Sequence, residues 1–304
     1  MLRCGTVAGP GRPMLMLIDY ASLLFRAFHS LPPSVPMHAV FGFLNMLARL
    51  LRDRQPQRLG IAVDEDWRPA FRVAALPSYK THRVSDEPDP IAPQEAAGRE
   101  VLQALGIAVV GAAGFEAEDV IATLAARARE AVEIVSGDRD LFALVRDPQV
   151  RVLYPLRGVS ELLEVDEAEI ERRYHIPGRA YGDFALLRGD PSDGLPGVPG
   201  IGEKTAALLI AEHGSLARLL RSDRLAPGIA RRLDAARDYL AAARRVVPPV
   251  SDVPLAPIDL ALPTTPAHPR TLARLARTYQ LAAPITRVQS ALGGGRSPTR
   301  PRSG

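Results

Sequence analysis

The sequence predicts an α/β fold in which a doubly wound, mainly parallel sheet is followed by a smaller helical subdomain. Through the first half of the chain, short and almost continuously apolar runs alternate with helical patterns. Strands buried on both faces alternate with crossover helices in this way. Residues 186–248 are helical without strands, and residues 249–270 are a proline-rich connector without periodicity. A chain of 304 residues can form one large domain and a smaller one.

Each element follows from a local pattern. The predicted strands are residues 14–19, 58–64, 107–110, 132–138 and 151–155. The predicted helices are residues 22–29, 39–53, 95–105, 117–130 and 140–146, with one or two short helices in 270–290. The predicted domains are a disordered leader (1–13, with Met14 as the true start), an α/β domain (14–185, with an arch around 66–95), a helical subdomain (186–248), a connector with C-terminal helices (249–291) and a disordered basic tail (292–304).

Composition narrows the class of protein. A hydrophobic fraction of 47% and a charged fraction of 24% are typical of a globular protein without a membrane span. The net charge of +4 suits a polyanionic partner but does not require one. The single Cys4 excludes a disulfide framework and a cysteine metal site, and fits a reducing cytoplasm. No secretory signal is visible, because Asp19 and Arg26 interrupt the apolar start.

Three predicted strands end in an acid: Asp19, Asp64 and Asp138. In open α/β sheets the functional site lies beyond the carboxyl ends of the strands, so we expect these carboxylates to converge. The alternative is that each aspartate only caps the helix that follows it. Three such acids in succession, with Asp140 close behind the last, favour a site.

Further acids extend this set to nine. One group opens a helix in "GFEAEDV", and a pair three residues apart stands in "RGDPSD". The nine carboxylates are Asp19, Asp64, Glu116, Glu118, Asp119, Asp138, Asp140, Asp190 and Asp193. Such a cleft needs cations to offset its repulsion, and oxygen ligands without His or Cys indicate Mg²⁺ or Mn²⁺. Two such ions suit in-line displacement at phosphorus.

The glycine-rich stretch 194–206 predicts a phosphate-binding hairpin. Its glycines allow close approach of a ligand to the backbone, the next helix presents its positive N-terminus, and Lys204 adds a charge. This helix–hairpin–helix pattern grips a DNA backbone without reading bases; the alternative is an ordinary αα-hairpin. The predicted DNA-binding residues here are Gly197, Val198, Gly200, Ile201, Gly202, Lys204 and Thr205.

A basic segment, residues 68–83, lies between the second strand and an acidic stretch. It interleaves aromatic with basic side chains and contains no acid, which suits a single-stranded flap held by a loop or arch above the site. The alternative is a solvated helix face. Its candidate residues are Arg68, Arg72, Tyr79, Lys80 and Arg83, and Arg26 is a further candidate for binding DNA.

The motifs together resemble the 5′ nuclease family, which comprises the 5′→3′ exonuclease domain of bacterial DNA polymerase I and the flap endonucleases. The matching pieces run in family order over residues 14–250: "LIDYASLLFRAFHSLP", "AVDEDWRPAFR", "LPSYKTHR", "GFEAEDVIATLA", "SGDRDLFALV" and "RGDPSDGLPGVPGIGEKTA". The chain looks like a free-standing 5′→3′ exonuclease of the actinobacterial type with a PIN-like nuclease core.

The resemblance implies two metal clusters, catalytic arch residues and a duplex-binding hairpin, often with K⁺. Asp19, Asp64, Glu116 and Glu118 match the first cluster, with Asp119 beside it, and the remaining four acids match the second. Arg72, Lys80 and Arg83 match the arch residues that engage the scissile phosphate region. The implied substrate is DNA with a 5′ flap, nick or 5′ end, or an RNA primer. The implied protein is a cytoplasmic, nucleoid-associated monomer in transient contact with a DNA polymerase.

Three positions depart from the family pattern. Tyr20 replaces a glycine and is expected to narrow the approach to Asp19. Glu118 stands where an aspartate is common, and Gly194 replaces a frequent asparagine, which removes a supporting hydrogen bond.

Two other functions fit parts of the pattern. One is a non-catalytic DNA-binding paralogue, and the other is a PIN-type ribonuclease, which would lack the hairpin.

Overall fold

A computed structural model of the chain describes residues 14–84 and 89–293. Six strands form one sheet: β1 Met14–Asp19, β2 Arg58–Ala62, β3 Val109–Val110, β4 Ala131–Val135, β5 Val150–Pro155 and β6 Leu162–Val165. The sheet order is β3-β2-β1-β4-β5-β6, and every pair is parallel except β5 with β6. The predicted doubly wound, mainly parallel sheet is therefore confirmed.

The helices lie on both faces of the sheet and in the C-terminal half. They are α1 Tyr20–Ser30, α2 His38–Arg54, α3 Ala70–Ala75, α4 Ala92–Leu105, α5 Ala117–Arg127, α6 Glu167–Tyr174, α7 Tyr181–Arg188, α8 Glu203–His213, α9 Leu216–Leu219, α10 Pro227–Ala235, α11 Arg237–Val246, α12 Pro269–Thr278 and α13 Ala282–Gly293. Short 3-10 helices cover Thr81–Arg83, Asp140–Leu144, Gly178–Ala180 and Pro191–Asp193. The predicted helix 140–146 is thus a 3-10 turn.

Strand alternation divides the core in two. Leu15 and Leu17 of β1 face a cluster built with α5 and the helices of the C-terminal subdomain. Met16 and Ile18 face the opposite cluster, built with α1, α2, α4, α12 and α13. The central strand is therefore buried on both faces, as its unbroken apolar sequence requires.

The edge strand β6 was not predicted from the sequence. It pairs antiparallel with β5, and a network of charges covers the outer strands. Glu133 of β4 is buried, and its carboxylate pairs with Arg54 and with Arg151, the latter at 2.7 Å. Both arginines also bind Glu164 of β6. The network ties the edge strand to α2.

The topology places the site. The chain winds from β1 outward through β2 to β3, then returns to β4 on the other side of β1. The switch point of the sheet therefore lies between β1 and β4, and ligands bind at such points. Within residues 14–84 and 89–293, no helix is both long and apolar enough to span a membrane.

The predicted ends of the chain are only partly described. Helix α13 continues to Gly293, so the first two residues of the predicted tail 292–304 are helical. The predicted leader 1–13, the rest of the tail and residues 85–88 of the predicted arch lie outside the described residues.

Candidate active site

Asp19 and Asp138 lie on the two sides of the switch point and share one serine. Asp19 ends β1, and its Oδ2 accepts a hydrogen bond of 2.7 Å from the hydroxyl of Ser136. The same hydroxyl accepts a bond of 2.9 Å from the Asp138 backbone N–H. Asp19 also caps α1 by accepting from the Ser22 N–H. The helix-cap alternative is thus correct for Asp19, and convergence on the switch point holds as well. Ser136 is a supporting residue that sequence reasoning missed.

Asp64 connects β2 to the acid-rich start of α5. Its Oδ1 accepts a hydrogen bond of 2.7 Å from the Ala117 N–H. Its backbone carbonyl accepts one of 2.7 Å from Arg99 of α4. Asp64 therefore holds the first residue of α5 against the carboxyl end of β2, where the chain turns toward the site.

Tyr20 does not narrow the approach to Asp19, contrary to the sequence-based expectation. Its side chain is fully buried and turns away from the site toward α4, where its hydroxyl donates to the Glu95 carbonyl at 3.0 Å. The ring packs over Gly98, where any side chain would collide with the tyrosine hydroxyl. The tyrosine therefore joins α1 to α4.

Arg72 is the centre of a buried ionic cluster at the start of α5. Its guanidinium is fully buried and contacts three acids: Glu116 at 2.6 Å, Glu118 at 2.8 Å and Asp119 at 2.7 Å. Its Nε donates to the Val246 carbonyl at the end of α11. Arg72 therefore joins α3, α5 and the C-terminal subdomain.

This geometry corrects two predictions. Arg72 cannot reach a scissile phosphate from a fully buried position, so the structure does not support the catalytic role inferred for it. Asp119 offers no free oxygen to a cation, because Arg72, the Glu116 N–H and the Val250 N–H all donate to its carboxylate. Asp119 instead completes a capping box at the start of α5.

The described part of the predicted arch is packed into the protein. The Lys80 ammonium pairs with Glu116 and lies 4.0 Å from Asp193. Tyr79, predicted to bind DNA, is buried, and its hydroxyl donates to Glu116 at 2.8 Å. Arg68, also assigned to DNA, donates to the Tyr79 carbonyl at 2.7 Å and so holds this turn. An open loop above the site is therefore not observed in the described residues.

Arg83 and Arg26 are the more accessible cations near the acids. Arg83 is 44% exposed at its side chain and pairs with Asp193 at 2.6 Å. Arg26 of α1 lies beside Gly137, directly before Asp138; a side chain added at Gly137 would lie 3.3 Å from its Nη2. Both arginines therefore lie beside loops that carry acids of the site.

The second acidic group consists of Asp138 and Asp140, which follow β4, and of Asp190 and Asp193, which follow α7. The Asp140 N–H donates to Asp138 at 2.8 Å, and Asp190 caps a 3-10 turn by accepting from Ser192. Asp193 receives Arg83 and lies near Lys80. Two loops far apart in sequence thus present their carboxylates to one region, as predicted.

Burial and mutual repulsion raise the pKa values of several of these acids. Burial and the neighbouring Asp64 raise the pKa of Asp19 to about 7. Burial, then Asp138 and Asp193, raise the pKa of Asp140 well above its usual value. Burial also raises the pKa of Glu118, which Glu116 and Asp138 raise further while Arg72 lowers it. The two groups of acids therefore share one electrostatic environment.

The donor set fits a divalent cation, although its members stand apart. In the described part of the chain, no three Asp, Glu, His or Cys side chains lie close enough to hold an ion together. Three of the carboxylates are instead paired with basic side chains: Glu118 with Arg72, Glu116 with Lys80 and Asp193 with Arg83. Buried carboxylates that repel one another, with only oxygen donors among them, fit a divalent cation that prefers oxygen ligands. Within residues 14–84 and 89–293, six of the acids form no side-chain ion pair at 3.5 Å or less, apart from the contact of Glu118 with Arg72: Asp19, Asp64, Glu118, Asp138, Asp140 and Asp190.

The hairpin follows directly after the second acidic group. Gly197 and Gly200 have positive φ values of 70° and 78°, and Gly202 precedes the first residue of α8. Val198 and Ile201 are buried, so their side chains anchor the hairpin and do not face a ligand. Of the predicted DNA-binding residues of the hairpin, Gly200, Gly202 and Lys204 are exposed, Thr205 is partly exposed and Gly197 is buried.

Gly194 is required by the backbone. Its φ is 72°, and a side chain there would strike the Ser78 carbonyl. Its own carbonyl accepts a hydrogen bond of 2.9 Å from the Ser78 hydroxyl. The position that departs from the family pattern therefore fastens the segment before Lys80 to the acidic loop.

Arg188 was not singled out from the sequence. Its guanidinium lies over the ring of Phe184 at 5.3 Å, between Asp190 at 3.8 Å and Glu203 of α8 at 4.0 Å. Burial and nearby acids dominate the pKa of Asp140, and Arg188 lowers it. The one available signal was its position directly before "GDPSD".

An acid-lined switch point beside a glycine-rich hairpin is the arrangement expected of a metal-dependent nuclease. Residues 14–175 match the family described as "5′-3′ exonuclease, N-terminal resolvase-like domain". Residues 176–269 match "5′-3′ exonuclease, C-terminal SAM fold". The chain belongs to the 5′-3′ exonuclease family.

Relatives agree with this assignment. A 5′-3′ exonuclease of Streptomyces coelicolor is 48% identical over 91% of this chain and 99% of its own length. One of Mycobacterium tuberculosis is 44% identical over 92% and 98%. DNA polymerase I of Mycobacterium bovis is 46% identical over 81% of this chain but only 28% of its own length.

Solved structures confirm the fold. The flap endonuclease of bacteriophage T5, solved with DNA and metal ions, has a TM-score of 0.65 at 17% identity and covers 92% of this chain and 99% of its own. The catalytic core of Rad2 with a DNA substrate has a TM-score of 0.60 at 16% identity, covering 94% and 93%.

Proposed function

We propose that this protein hydrolyses phosphodiester bonds of DNA at or near a free 5′ end, as a 5′→3′ exonuclease and 5′ flap endonuclease. The single observation that carries the proposal is the continuity of residues 190–205: acids of the candidate cation site pass directly into the hairpin that suits a phosphate backbone. A duplex bound by the hairpin would therefore be held at a fixed distance from the acids.

We assign ligand roles according to the contacts. Asp19, Asp64, Glu116 and Glu118 would hold one divalent cation, and Asp138, Asp140, Asp190 and Asp193 would hold a second. Asp119 is left out because Arg72 and two backbone N–H groups together occupy both of its oxygens. When bound, the two ions supply a water of lowered pKa and stabilise the leaving oxygen. Ligation by Glu116 requires that Lys80 leave its carboxylate.

The basic side chains near the acids complete the proposed mechanism. Once released from Glu116 and Asp193, Lys80 and Arg83 can contact the phosphate next to the scissile bond and offset its charge. Arg26 lies where an entering strand would pass. Gly200, Gly202, Lys204 and Thr205 would bind the duplex backbone at the start of α8.

We extend the proposal to the finer features implied by the resemblance. These are Mg²⁺ or Mn²⁺ as the ions, K⁺ at the hairpin, DNA with a 5′ flap or nick, an RNA primer as a further substrate, transient contact with a DNA polymerase, a monomeric state, and a cytoplasmic, nucleoid-associated location. The hairpin and the C-terminal family match weigh against a PIN-type ribonuclease.

Cleavage of labelled flap, nicked and single-stranded DNA with Mg²⁺ tests the proposal. We expect short 5′ products that disappear in chelator and with Asp138→Asn. Trimming from the 3′ end, or activity that persists in chelator, would refute it. Binding without any cleavage would favour the non-catalytic paralogue.

A further inference from the structure

The C-terminal end of the chain is basic. Seven arginines and no acidic residue follow Asp259. The net charge of the whole chain is +4, so residues 1–259 carry a net charge of −3. The candidate active site makes no use of this cationic end.

Three of these arginines form one face of α12. Arg270, Arg274 and Arg277 follow one another at intervals of four and three residues, so they lie within an arc of roughly 60° at 100° per residue. Leu272 and Leu275 on the opposite side are buried. The helix is therefore fixed to the protein by its apolar face and presents a row of guanidinium groups to solvent.

The three guanidinium groups are not neutralised by carboxylates. All three residues are exposed, and among the described residues none has an acidic oxygen within 4.0 Å. Some other exposed arginines are paired instead: Arg172 and Arg179 lie 2.6 and 2.7 Å from glutamates of α6. An uncompensated row of like charges costs free energy in the isolated protein and is relieved by a polyanion.

This face lies on the other side of the sheet from the hairpin. Helices α12 and α13 pack on α4 and α2 in one core cluster, and helices α8 to α11 pack in the opposite cluster. The His268 N–H donates to the Ala104 carbonyl at the end of α4, which sets α12 against that helix. The arginine row is thus separate from both the acids and the hairpin.

We propose that Arg270, Arg274 and Arg277 form a second DNA-binding surface that contacts the phosphate backbone of a duplex irrespective of its sequence. Rises of about 6 Å and 4.5 Å along the helix axis separate the three residues, a spacing that allows contact with successive phosphates of a strand. Guanidinium groups bind phosphate oxygens in a bidentate manner. The surface adds affinity for DNA away from the point of cleavage.

Salt dependence of binding to a long blunt duplex, measured in chelator, tests this surface without any cleavage. The triple variant Arg270→Gln, Arg274→Gln, Arg277→Gln should lower the slope of log affinity against log salt by about 0.9 for each arginine that contacts a phosphate. The corresponding triple lysine variant should retain the slope. Arg172→Gln, Arg173→Gln, Arg179→Gln, which removes ion-paired arginines of and near α6, is the matched control and should change it little.

An unchanged slope in the glutamine variant, or a loss equal to that of the control, would overturn the proposal. If the lysine variant also showed a reduced slope of log affinity against log salt, side-chain shape rather than charge would be responsible. That result would also overturn the proposal. If the triple variant unfolds, Arg274→Gln alone should lower the slope by about 0.9. Cleavage of a short flap substrate should be unaffected, so this test and that of the catalytic proposal fail independently.

Discussion

Arg72 and Asp119 form a two-pronged ion pair that is closed to solvent. Nη1 of the arginine lies 2.7 Å from Oδ2 of the aspartate, and Nη2 lies 2.7 Å from Oδ1, with both side chains fully buried. The pair joins the segment after β2 to the helix that carries the acids. Its geometry suits a structural role, because neither partner retains a group directed at a ligand.

Removing the arginine should be strongly destabilising. Arg72→Met leaves Asp119 and Glu116 buried without their partner, and breaking a buried pair in this way costs about 3–5 kcal/mol. Urea denaturation of the metal-free protein measures the loss. Arg172→Met, at an exposed pair, is the control and should change the stability little. Near-equal losses would mean that the buried pair contributes no more than a surface one.

Asp138→Asn should separate metal binding from stability. Burial and neighbouring acids, Asp193 among them, raise the pKa of Asp138, so a neutral amide relieves repulsion. The metal-free variant should be as stable as the wild type or more stable, while cleavage is nearly abolished. Added Mg²⁺ should raise the melting temperature of the wild type more than that of the variant. A variant clearly less stable without metal would show that Asp138 is a structural cap.

Asp19 should make stability depend on pH. Its pKa is about 7 in the folded protein because of burial and Asp64, against 3.8 for the free side chain. The folded state therefore holds the proton more tightly, and this stabilisation is present below pH 4 and lost as the pH rises to 7. Asp19→Asn imitates the protonated form, so it should match the wild type near pH 4.

Above pH 7 the same variant should be more stable than the metal-free wild type, by on the order of 1–2 kcal/mol once the partial exposure of Asp19 is allowed for. Denaturation of both proteins across this pH range in chelator measures the difference. A constant difference between them would contradict the expectation.

Two hairpin glycines should respond differently to alanine. At Gly197 a side chain would strike the Arg188 carbonyl, and its φ of 70° is unfavourable for alanine. At Gly202 there is open space and φ is −82°. Gly197→Ala should therefore lower the melting temperature, whereas Gly202→Ala should leave it nearly unchanged and weaken duplex binding. Duplex affinity retained in folded Gly202→Ala would mean that DNA does not approach this backbone.

Lys80→Ala and Arg83→Ala should slow cleavage more than they weaken duplex binding. Both side chains pair with acids of the site and lie away from the hairpin. Lys204→Ala, on the exposed start of α8, is the comparison and should do the reverse. Single-turnover rates and equilibrium binding, measured side by side, decide it. Parallel losses of rate and affinity in all three variants would contradict this division of roles.

The sheet and the position of the acids were predictable because both follow from simple periodicities. Apolar runs identified the five parallel strands, and an acid at or just beyond the ends of β1, β2 and β4 marked the site edge. Strand β6 was missed because it is four residues long and lies at the edge, where burial gives a weaker pattern.

Side-chain partners were not predictable in the same way. A basic segment with aromatic residues looks alike whether Arg72 faces solvent or is buried against Asp119. That choice is made by packing of α3 against α11, which is distant in sequence. The orientation of Tyr20 also depends on a distant residue, because its side chain packs in the space left by the missing side chain of Gly98 in α4.

The hydrogen bond from Arg72 to the Val246 carbonyl limits how proteins of this family can be truncated or combined into chimaeras. The boundary between the two family segments falls at residue 175, yet a side chain from the first finds its partner in the last turn of α11 in the second. Asp119 likewise receives the Val250 N–H. A fragment ending at residue 175 would keep every proposed ligand of the first cation and lose the contacts that hold their helix. Exchange of segments between relatives should therefore succeed only when the arginine and the chain around residues 246–250 are inherited together.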